Sequence, residues 1–224
     1  MTMRANASVR ELAQQFLGIS TSTIGNVLDS LRINAIMPGL RPVVLPMRMA
    51  GVAFTVKAVV GKLGDYMPGD FSLGDVIDNL QAGDVVVIDL GGQEVASWGG
   101  LAALAAKLRG AAGLAVHGGV RDIDEIMNCG FPVYSRHVTP LSPRTRVKIV
   151  GLNLEICIGD VQILPQDIIV GDSTGLVRVP ANIAREVLDE VLVLNKKDDE
   201  AMRLIRDGGS FKNALSAIRN GGAS

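Results

Sequence analysis

Aromatic residues are scarce in this chain, at 4% of its 224 positions, and Trp98 is its single tryptophan. A core with so few rings must be filled by aliphatic side chains, and the 48% hydrophobic content supplies them. Cysteine occurs only twice, at Cys129 and Cys157, far from any C-x-x-C spacing, which excludes a disulfide framework or a zinc knuckle as the organising principle. Two reduced, packed thiols suit a cytoplasmic protein. An excess of one charge is also missing. The 22 basic and 23 acidic residues leave a formal charge of −1, so no general attraction to nucleic acid or to an anionic membrane is expected. No apolar run reaches the roughly 18 residues of a membrane span. Arg10 and Glu11 interrupt the N-terminal stretch before a secretory signal could form. Neither G-x-G-x-x-G nor a P-loop occurs, which leaves dinucleotide binding and nucleotide hydrolysis without support.

Glycine, in contrast, is plentiful at 26 residues, and it falls between apolar runs rather than in one tract. That spread indicates tight turns instead of a flexible linker, so the expectation is a single domain over residues 1–224. A helix is expected around Val9–Leu17. STSTIGNVLDSL then offers hydroxyl caps at Ser20 to Thr23 ahead of Ile24, Val27, Leu28 and Leu31 at helical spacing. MAGVAFTVKAVV reads as a buried strand, and Ser72 with Asp75 resembles a capping box opening a helix to Leu80. From Gly83 the order becomes strand (DVVVIDL), glycine turn, loop to Trp98 and a helix from Leu101 to Arg109. A second strand (GLAVH), a second glycine turn and another helix after Arg121-Asp122 follow. Such alternation predicts a parallel βαβα unit whose chemistry sits where strands end and helices begin. FPVYSR, VKIVG, LEICIG, VQILP, DIIVGD and LVRVP predict an antiparallel layer, and the apolar positions Ile183, Val187, Val191 and Leu194 predict a long amphipathic helix packed on it.

Two glycine turns separated by one crossover can face each other across adjacent strand ends. At the first, Gly99, Gly100, Leu101 and Ala102 leave backbone N–H groups uncovered, an arrangement that suits a carboxylate or phosphate oxygen. At the second, the planar fork of Arg121 can grip a carboxylate with two hydrogen bonds, and Asp122 is a hard oxygen ligand for a cation. Either turn alone is commonplace, since glycine pairs and capping aspartates open many helices. Their joint occurrence at successive strand ends makes the candidate site. Trp98, beside the first turn, reads equally as pocket wall or core.

These residues carry a resemblance. GGLAALAAKLRGAAGLAVHGGVRDIDEI is similar to the signature of the RraA-like family, which includes 4-hydroxy-4-methyl-2-oxoglutarate / 4-carboxy-4-hydroxy-2-oxoadipate aldolase and the regulator of ribonuclease E activity. The signature has an acidic residue or glycine, twenty residues, Arg-Asp, two more and an acidic residue, met here by Gly100, Arg121-Asp122 and Glu125. The similarity extends from STSTIGNVLDSL to GDSTGLVRVP. It implies an α/β fold, an α-β-β-α sandwich of the swivelling type, assembled as homotrimers or homohexamers with sites at subunit interfaces. It also implies that the backbone of Gly99 to Ala102 and the Arg121 side chain hold a pyruvate-like moiety, while Asp122 binds Mg²⁺ or Mn²⁺. The chemistry would be that of a class II-type aldolase or decarboxylase, releasing pyruvate from a small 2-oxo acid such as 4-hydroxy-4-methyl-2-oxoglutarate or oxaloacetate.

Two positions depart from the family's pattern. Aldolase members often carry an acidic residue where this chain has Gly100, and the family commonly has Asp where it has His117. A histidine there reads as a hydrogen-bonded structural residue or as a general acid or base near neutral pH. Aldolase members also draw an acidic residue from a neighbouring subunit's C-terminal region, for which Glu200 is the candidate. Two other readings share the resemblance: a non-catalytic, protein-binding regulator of ribonuclease E type, and a related lyase of sugar-acid breakdown.

Overall fold

The computed structural model describes residues 2–220. Its spine is β2 (Met49–Val60), twelve residues rich in valine and alanine and buried along most of their length. β-branched side chains suit the pleat, and burial on both faces from Met49 to Val56 matches the near-continuous apolarity ahead of the exposed Lys57. β2 pairs in parallel with β3 (Asp84–Asp89), and β3 with β5 (Gly113–Val120). β5 pairs in parallel with β6 (Val133–Val138) and with the three-residue β4 (Ala96–Trp98). The chain crosses from β4 to β5 through α4 (Gly100–Leu108), and from β5 to β6 through α5 (Ile123–Cys129). Both connections join parallel neighbours, so the βαβα unit stands as expected from the sequence.

The antiparallel strands are present too, in a different distribution. β10 (Ile168–Asp172) and β7 (Val147–Leu152) pair antiparallel with β2, and β11 (Gly175–Val179) pairs with β10. β8 (Ile156–Ile158) and β9 (Val161–Ile163) form a separate two-stranded sheet. The strand within FPVYSR, grouped with these by sequence, is β6 and runs parallel to β5. The reason is α5, the helix expected after Arg121-Asp122, which is a crossover that returns the chain to the same end of the sheet. The sheet curls until its edge strands approach each other. Met37 N–H donates to Leu176 O at 3.1 Å, and Arg41 of β1 (Arg41–Pro42) donates from Nη1 to Thr174 O at 3.4 Å.

Strand alternation divides the core in a way that decides where functional groups can point. Val86, Ile88, Leu114 and Val116 face outward, against Val76 of α3 (Leu73–Asp78), Ala103 and Ala106 of α4 and Ile126 of α5. Val85, Val87, Ala115 and Tyr134 face inward, where the β8–β9 hairpin closes the space with Ile156, Ile158, Val161 and Ile163. On the far side, α1 (Thr2–Gln15), α2 (Thr21–Ser30) and α6 (Ala184–Arg206) cover β2, β10 and β11 through Phe16, Ile24, Leu28, Val187 and Leu188. Each of these apolar side chains contributes about 1.5–3 kcal/mol by leaving water. The long amphipathic helix runs past the charged 196–200 segment to Arg206 and turns into α7 (Phe211–Asn220). No helix is long and apolar enough to cross a membrane among the described residues.

Asp172 ties α2 to the sheet. Its carboxylate accepts from Thr21 N–H at 2.9 Å, Thr21 Oγ at 2.8 Å and Thr174 N–H at 2.8 Å. Burial alone would raise its pKa, but the hydrogen bonds from Thr21, Thr174 and Gly175 outweigh burial and hold it below the usual 3.8. A depressed carboxylate contributes stability that is present above its unfolded-state pKa and lost as the pH falls through the folded-state value. Asp172→Asn should therefore cost about 2–3 kcal/mol at neutral pH. In denaturant titrations, the gap between wild type and variant should narrow below about pH 4.

Candidate active site

The two glycine turns meet. Trp98 O accepts from Arg121 N–H at 2.9 Å, tying the end of β4 to the end of β5, so α4 and α5 start side by side. The contact is too close for side chains on one partner. A Cβ on Gly99 would lie 2.3 Å from Asp122 Oδ2, and one on Gly100 would lie 2.4 Å from Glu125 Cβ. Packing of α4 on α5 thus requires glycine at position 100, whereas a Cβ at position 99 would have to displace the Asp122 carboxylate. The acidic residue often found at position 100 in aldolase members has no room here, because Glu125 stands where its side chain would begin.

Asp122 is held in the left-handed region, with φ 57° and ψ 49°, as the residue preceding α5. Aspartate tolerates that conformation better than most residues, but it remains strained. The strain turns its carboxylate toward the first turn, where Oδ2 accepts from Gly100 N–H at 3.3 Å. The same oxygen lies 3.6 Å from Arg121 Nε. The guanidinium makes no hydrogen bond among the described residues, and both side chains are a little over 40% exposed. Ala103 N–H is satisfied by Gly99 O at 3.0 Å. The N–H groups of Leu101 and Ala102 have no partner among the described residues, and α4 has no side-chain cap. Two N–H groups at a helix start beside an exposed guanidinium suit an anion, although the Asp122 carboxylate already lies within 3.6 Å of both Gly100 N–H and Arg121 Nε.

A cavity of about 450 Å³ opens over this junction. Gly99, Leu101, Ala102, Arg121 and Asp122 form its floor, and Leu73, Ile77 and Asp78 of α3 form the opposite wall. A slightly larger hollow, about 490 Å³, lies between α2, α6 and α7, where Asp198 and Asp199 are the only charged lining residues among the described ones. Two carboxylates and no described cation line it, so an anion is better served by the smaller cavity, which Arg121 lines.

The other candidates lie apart from this floor. His117 shares the inward orientation of Ala115, on the opposite side of the sheet from α4 and α5. It is 8% exposed. Nδ1 lies 3.0 Å from Asp89 Oδ1, its register neighbour on β3, and Nε2 lies 3.4 Å from Arg136 Nη1. In this arrangement Nδ1 donates and Nε2 accepts. His117 O also accepts from Leu90 N–H at 3.1 Å and Gly92 N–H at 3.0 Å, which anchors the loop leading to β4. Glu200 is an exposed residue of α6 that lines neither cavity. Trp98 is 1% exposed and belongs to the core beneath α4, with Nε1 unpaired. The sequence reading missed α3's contribution, and Ile77 and Asp78 carry no motif that would have revealed it.

Comparison with known proteins places the chain. Residues 21–178 match the RraA-like family model, described as Aldolase/RraA, and the chain belongs to that family. It is 26% identical over 210 residues to protein DlpA of Legionella pneumophila, covering 91% of this chain and 33% of that protein. The chain thus spans about a third of that relative's length. A Halalkalibacterium halodurans protein, whose name provisionally assigns it as a 4-hydroxy-4-methyl-2-oxoglutarate aldolase, is 29% identical over 194 residues, 86% of this chain and 88% of that one. Among solved structures, an uncharacterized Pseudomonas syringae protein superposes with a TM-score of 0.81 at 27% identity, covering 93% of this chain and 97% of that one. RraAS2 of Streptomyces coelicolor, described as an unusual member of the RNase ES inhibitor RraA family, shares the fold. Its TM-score is 0.76 at 24% identity, over 86% of this chain and 96% of that one.

The close packing at Gly100 makes its own prediction. Gly100→Ala should lose about 1–3 kcal/mol of stability, because Glu125 Cβ belongs to helical backbone geometry and cannot swing aside. Leu104→Ala, on the exposed side of the same helix, should change stability by less than about 1 kcal/mol in the same denaturant titrations.

Proposed function

We propose that this RraA-like protein is a divalent-metal-dependent lyase that cleaves a carbon–carbon bond in a small 2-oxo acid and releases pyruvate, by retro-aldol cleavage or by decarboxylation as with oxaloacetate. The observation that carries the reading is the convergence of three groups on one cavity floor: the unpaired Leu101 and Ala102 N–H groups, the Arg121 guanidinium, and the Asp122 carboxylate, whose Oδ2 accepts only a 3.3 Å hydrogen bond from Gly100 N–H. The first two are donors for a carboxylate. The third is a hard oxygen ligand.

The residues fit a particular kind of cation. Among the described residues no group of three or more His, Cys, Asp or Glu is arranged to cage a metal, and Asp122 is the carboxylate on the floor. One carboxylate suits Mg²⁺ or Mn²⁺, hard ions that keep much of their water and share the substrate's own oxygens. When bound, such an ion supplies Lewis-acid stabilisation of the negative charge left by the broken bond. The protein's own groups do the rest. Leu101 and Ala102 N–H and the Arg121 fork hold the substrate carboxylate and fix the scissile bond above the floor. Asp122 orients the cation, and its left-handed backbone keeps the carboxylate aimed. His117 and its Asp89 partner act by holding the loop that leads to Gly99, and Glu200 acts from a neighbouring copy in a trimer or hexamer.

A second reading is a protein-binding regulator of the ribonuclease E type. It is favoured by an exposed leucine ridge on α4, where Leu101 is 85% and Leu108 79% exposed, with Leu104 between them. Asp122→Ala separates the two readings, since a regulator would keep its partner and its biological effect.

In a lactate-dehydrogenase-coupled assay with Mg²⁺, pyruvate release from a panel of 2-oxo acids should exceed background and vanish with a chelator. Arg121→Ala should lower kcat/KM about 100-fold, the equivalent of one to two charge-assisted hydrogen bonds. Asp122→Ala should abolish both Mg²⁺ binding and turnover. Absence of pyruvate release from every member of the panel contradicts the lyase.

A further inference from the structure

A second constellation lies on the inward face of the sheet. Thr55, Val87, Ala115 and Tyr134 are register partners across β2, β3, β5 and β6, and all four are buried. Two residues nearer the C-terminal ends of these strands, every inward position is ionisable. Lys57 is paired with Asp89 in the ladder and Asp89 with His117, while Arg136 reaches His117 across a register irregularity between β5 and β6. The row comes from adjacent strands of one chain, so it forms without a second copy. Its middle is shielded and its ends are open. The side chains of His117 and Asp89 are 10% and 16% exposed, whereas Lys57 and Arg136 are exposed residues. Asp89 is spent in orienting the ring: Oδ1 accepts from Gly91 N–H at 2.9 Å and from His117 Nδ1 at 3.0 Å, which leaves His117 Nε2 as an acceptor. Arg136 Nη1 makes only a long contact to that nitrogen, at 3.4 Å. Among the described residues neither Arg136 nor Lys57 has a carboxylate partner. Gly92, at φ 75°, passes beside the pair, and a Cβ there would lie 3.0 Å from Arg136 Nη1 and 3.1 Å from His117 Nε2. The bare turn leaves both atoms free of a covering side chain.

From this we infer that the mouth of the sheet, between Lys57 and Arg136, is a second ligand site, and that it takes free phosphate, a tetrahedral oxyanion with a proton of its own. Two cations without carboxylate partners flank one carboxylate that is already engaged, so the row favours an anion. Three strand spacings of about 4.8 Å separate β2 from β6. The sheet is concave on this side, so the long side chains of Lys57 and Arg136 can close over the middle of the row from both ends. The acceptor at Nε2 sets the further requirement. Hydrogen phosphate donates its O–H to Nε2 while its other oxygens accept from Arg136 and Lys57. Sulfate has the same shape and charge but no proton to give, and a carboxylate has none either. Phosphomonoesters lose their last proton near about pH 6 and reach neutral pH as bare dianions. The inference does not rest on the lyase reading, because the floor lies on the opposite face of the sheet, where α4 and α5 pack. Backbone links the two sites: His117 O holds Leu90 and Gly92 N–H, and the chain runs from that turn through β4 to Gly99.

The test is titration of the full chain with phosphate, sulfate and methyl phosphate at about pH 7.5, where the first carries an O–H and the other two are largely bare dianions. Binding is read by calorimetry and by the imidazole NMR signals, which come from His117 and His137 alone. Phosphate should saturate, move the His117 signals, and bind about tenfold more tightly than either proton-free ion, the equivalent of one hydrogen bond. Arg136→Gln should weaken phosphate about tenfold and Lys57→Ala about three- to fivefold, while Arg121→Ala on the floor changes it less than about twofold. Lys57 is exposed and lies outside the His117 contacts, so its variant reads the site even where Arg136→Gln loosens the turn. Absence of saturable phosphate binding overturns the inference. Binding that survives both Arg136→Gln and Lys57→Ala, or that is lost in Arg121→Ala, places phosphate elsewhere and overturns it too. Sulfate or methyl phosphate binding as tightly as phosphate removes the proton given to His117 and overturns the assignment of free phosphate. Each of these results leaves the lyase reading of the floor untouched.

Discussion

The site depends on how closely two helix starts can approach. α4 and α5 begin at the ends of adjacent parallel strands, and their first turns are in contact because Gly99 and Gly100 have no side chains. The space is used: Asp122 Oδ2 and Glu125 Cβ stand 2.3 and 2.4 Å from where the missing Cβ atoms would be. One feature therefore does three things. It uncovers the N–H groups of Leu101 and Ala102, brings Arg121 beside them, and places a carboxylate at the junction. A wider approach would preserve the fold and separate the anion donors from the acid.

Much of the architecture could be read from the residues, because its signals are local. Met49–Val60 is apolar except for Thr55 and Lys57 and is a strand over its whole length. Ser20 caps α2 through a hydrogen bond to Ser22 N–H at 3.2 Å, and Ser72 accepts from Asp75 N–H at 3.3 Å at the start of α3. The parallel pairing of β6 was hidden, since direction depends on where α5 delivers the chain and not on the strand's own composition. β4 was hidden as well: three residues carry too little periodicity to stand out from a loop. Residues of the floor were legible because glycine pairs and Arg-Asp at strand ends are unusual together. The opposite wall was not, because Ile77 and Asp78 reach the cavity through the docking of a six-residue helix onto α4.

Alternation along β5 explains why two neighbouring candidates have different surroundings. Gly118 packs against Leu90 on the side of α3–α5, whereas His117 points inward to Asp89 and Arg136. A single residue's shift in register would exchange the two faces. His117 thereby becomes part of a polar clasp at the mouth of the sheet, where it fixes the Gly91–Gly92 turn through its carbonyl and ring. The loop from that turn continues into β4 and the Gly99 junction, so the clasp bears on the site through the backbone. Asp84 shows how the same sheet tolerates a buried charge at its other end. Burial raises its pKa, and the Gln81 N–H together with an Arg10 ion pair at 2.8 Å recovers only part of that cost.

The direct measurement is a crystal structure of the protein soaked with pyruvate and Mg²⁺. The account predicts the pyruvate carboxylate on the Arg121 guanidinium and the Leu101 and Ala102 N–H groups, with the cation between Asp122 and the 2-oxo oxygen. Pyruvate bound in the hollow between α2, α6 and α7, or Arg121 turned away from an empty floor at saturating ligand, would contradict it.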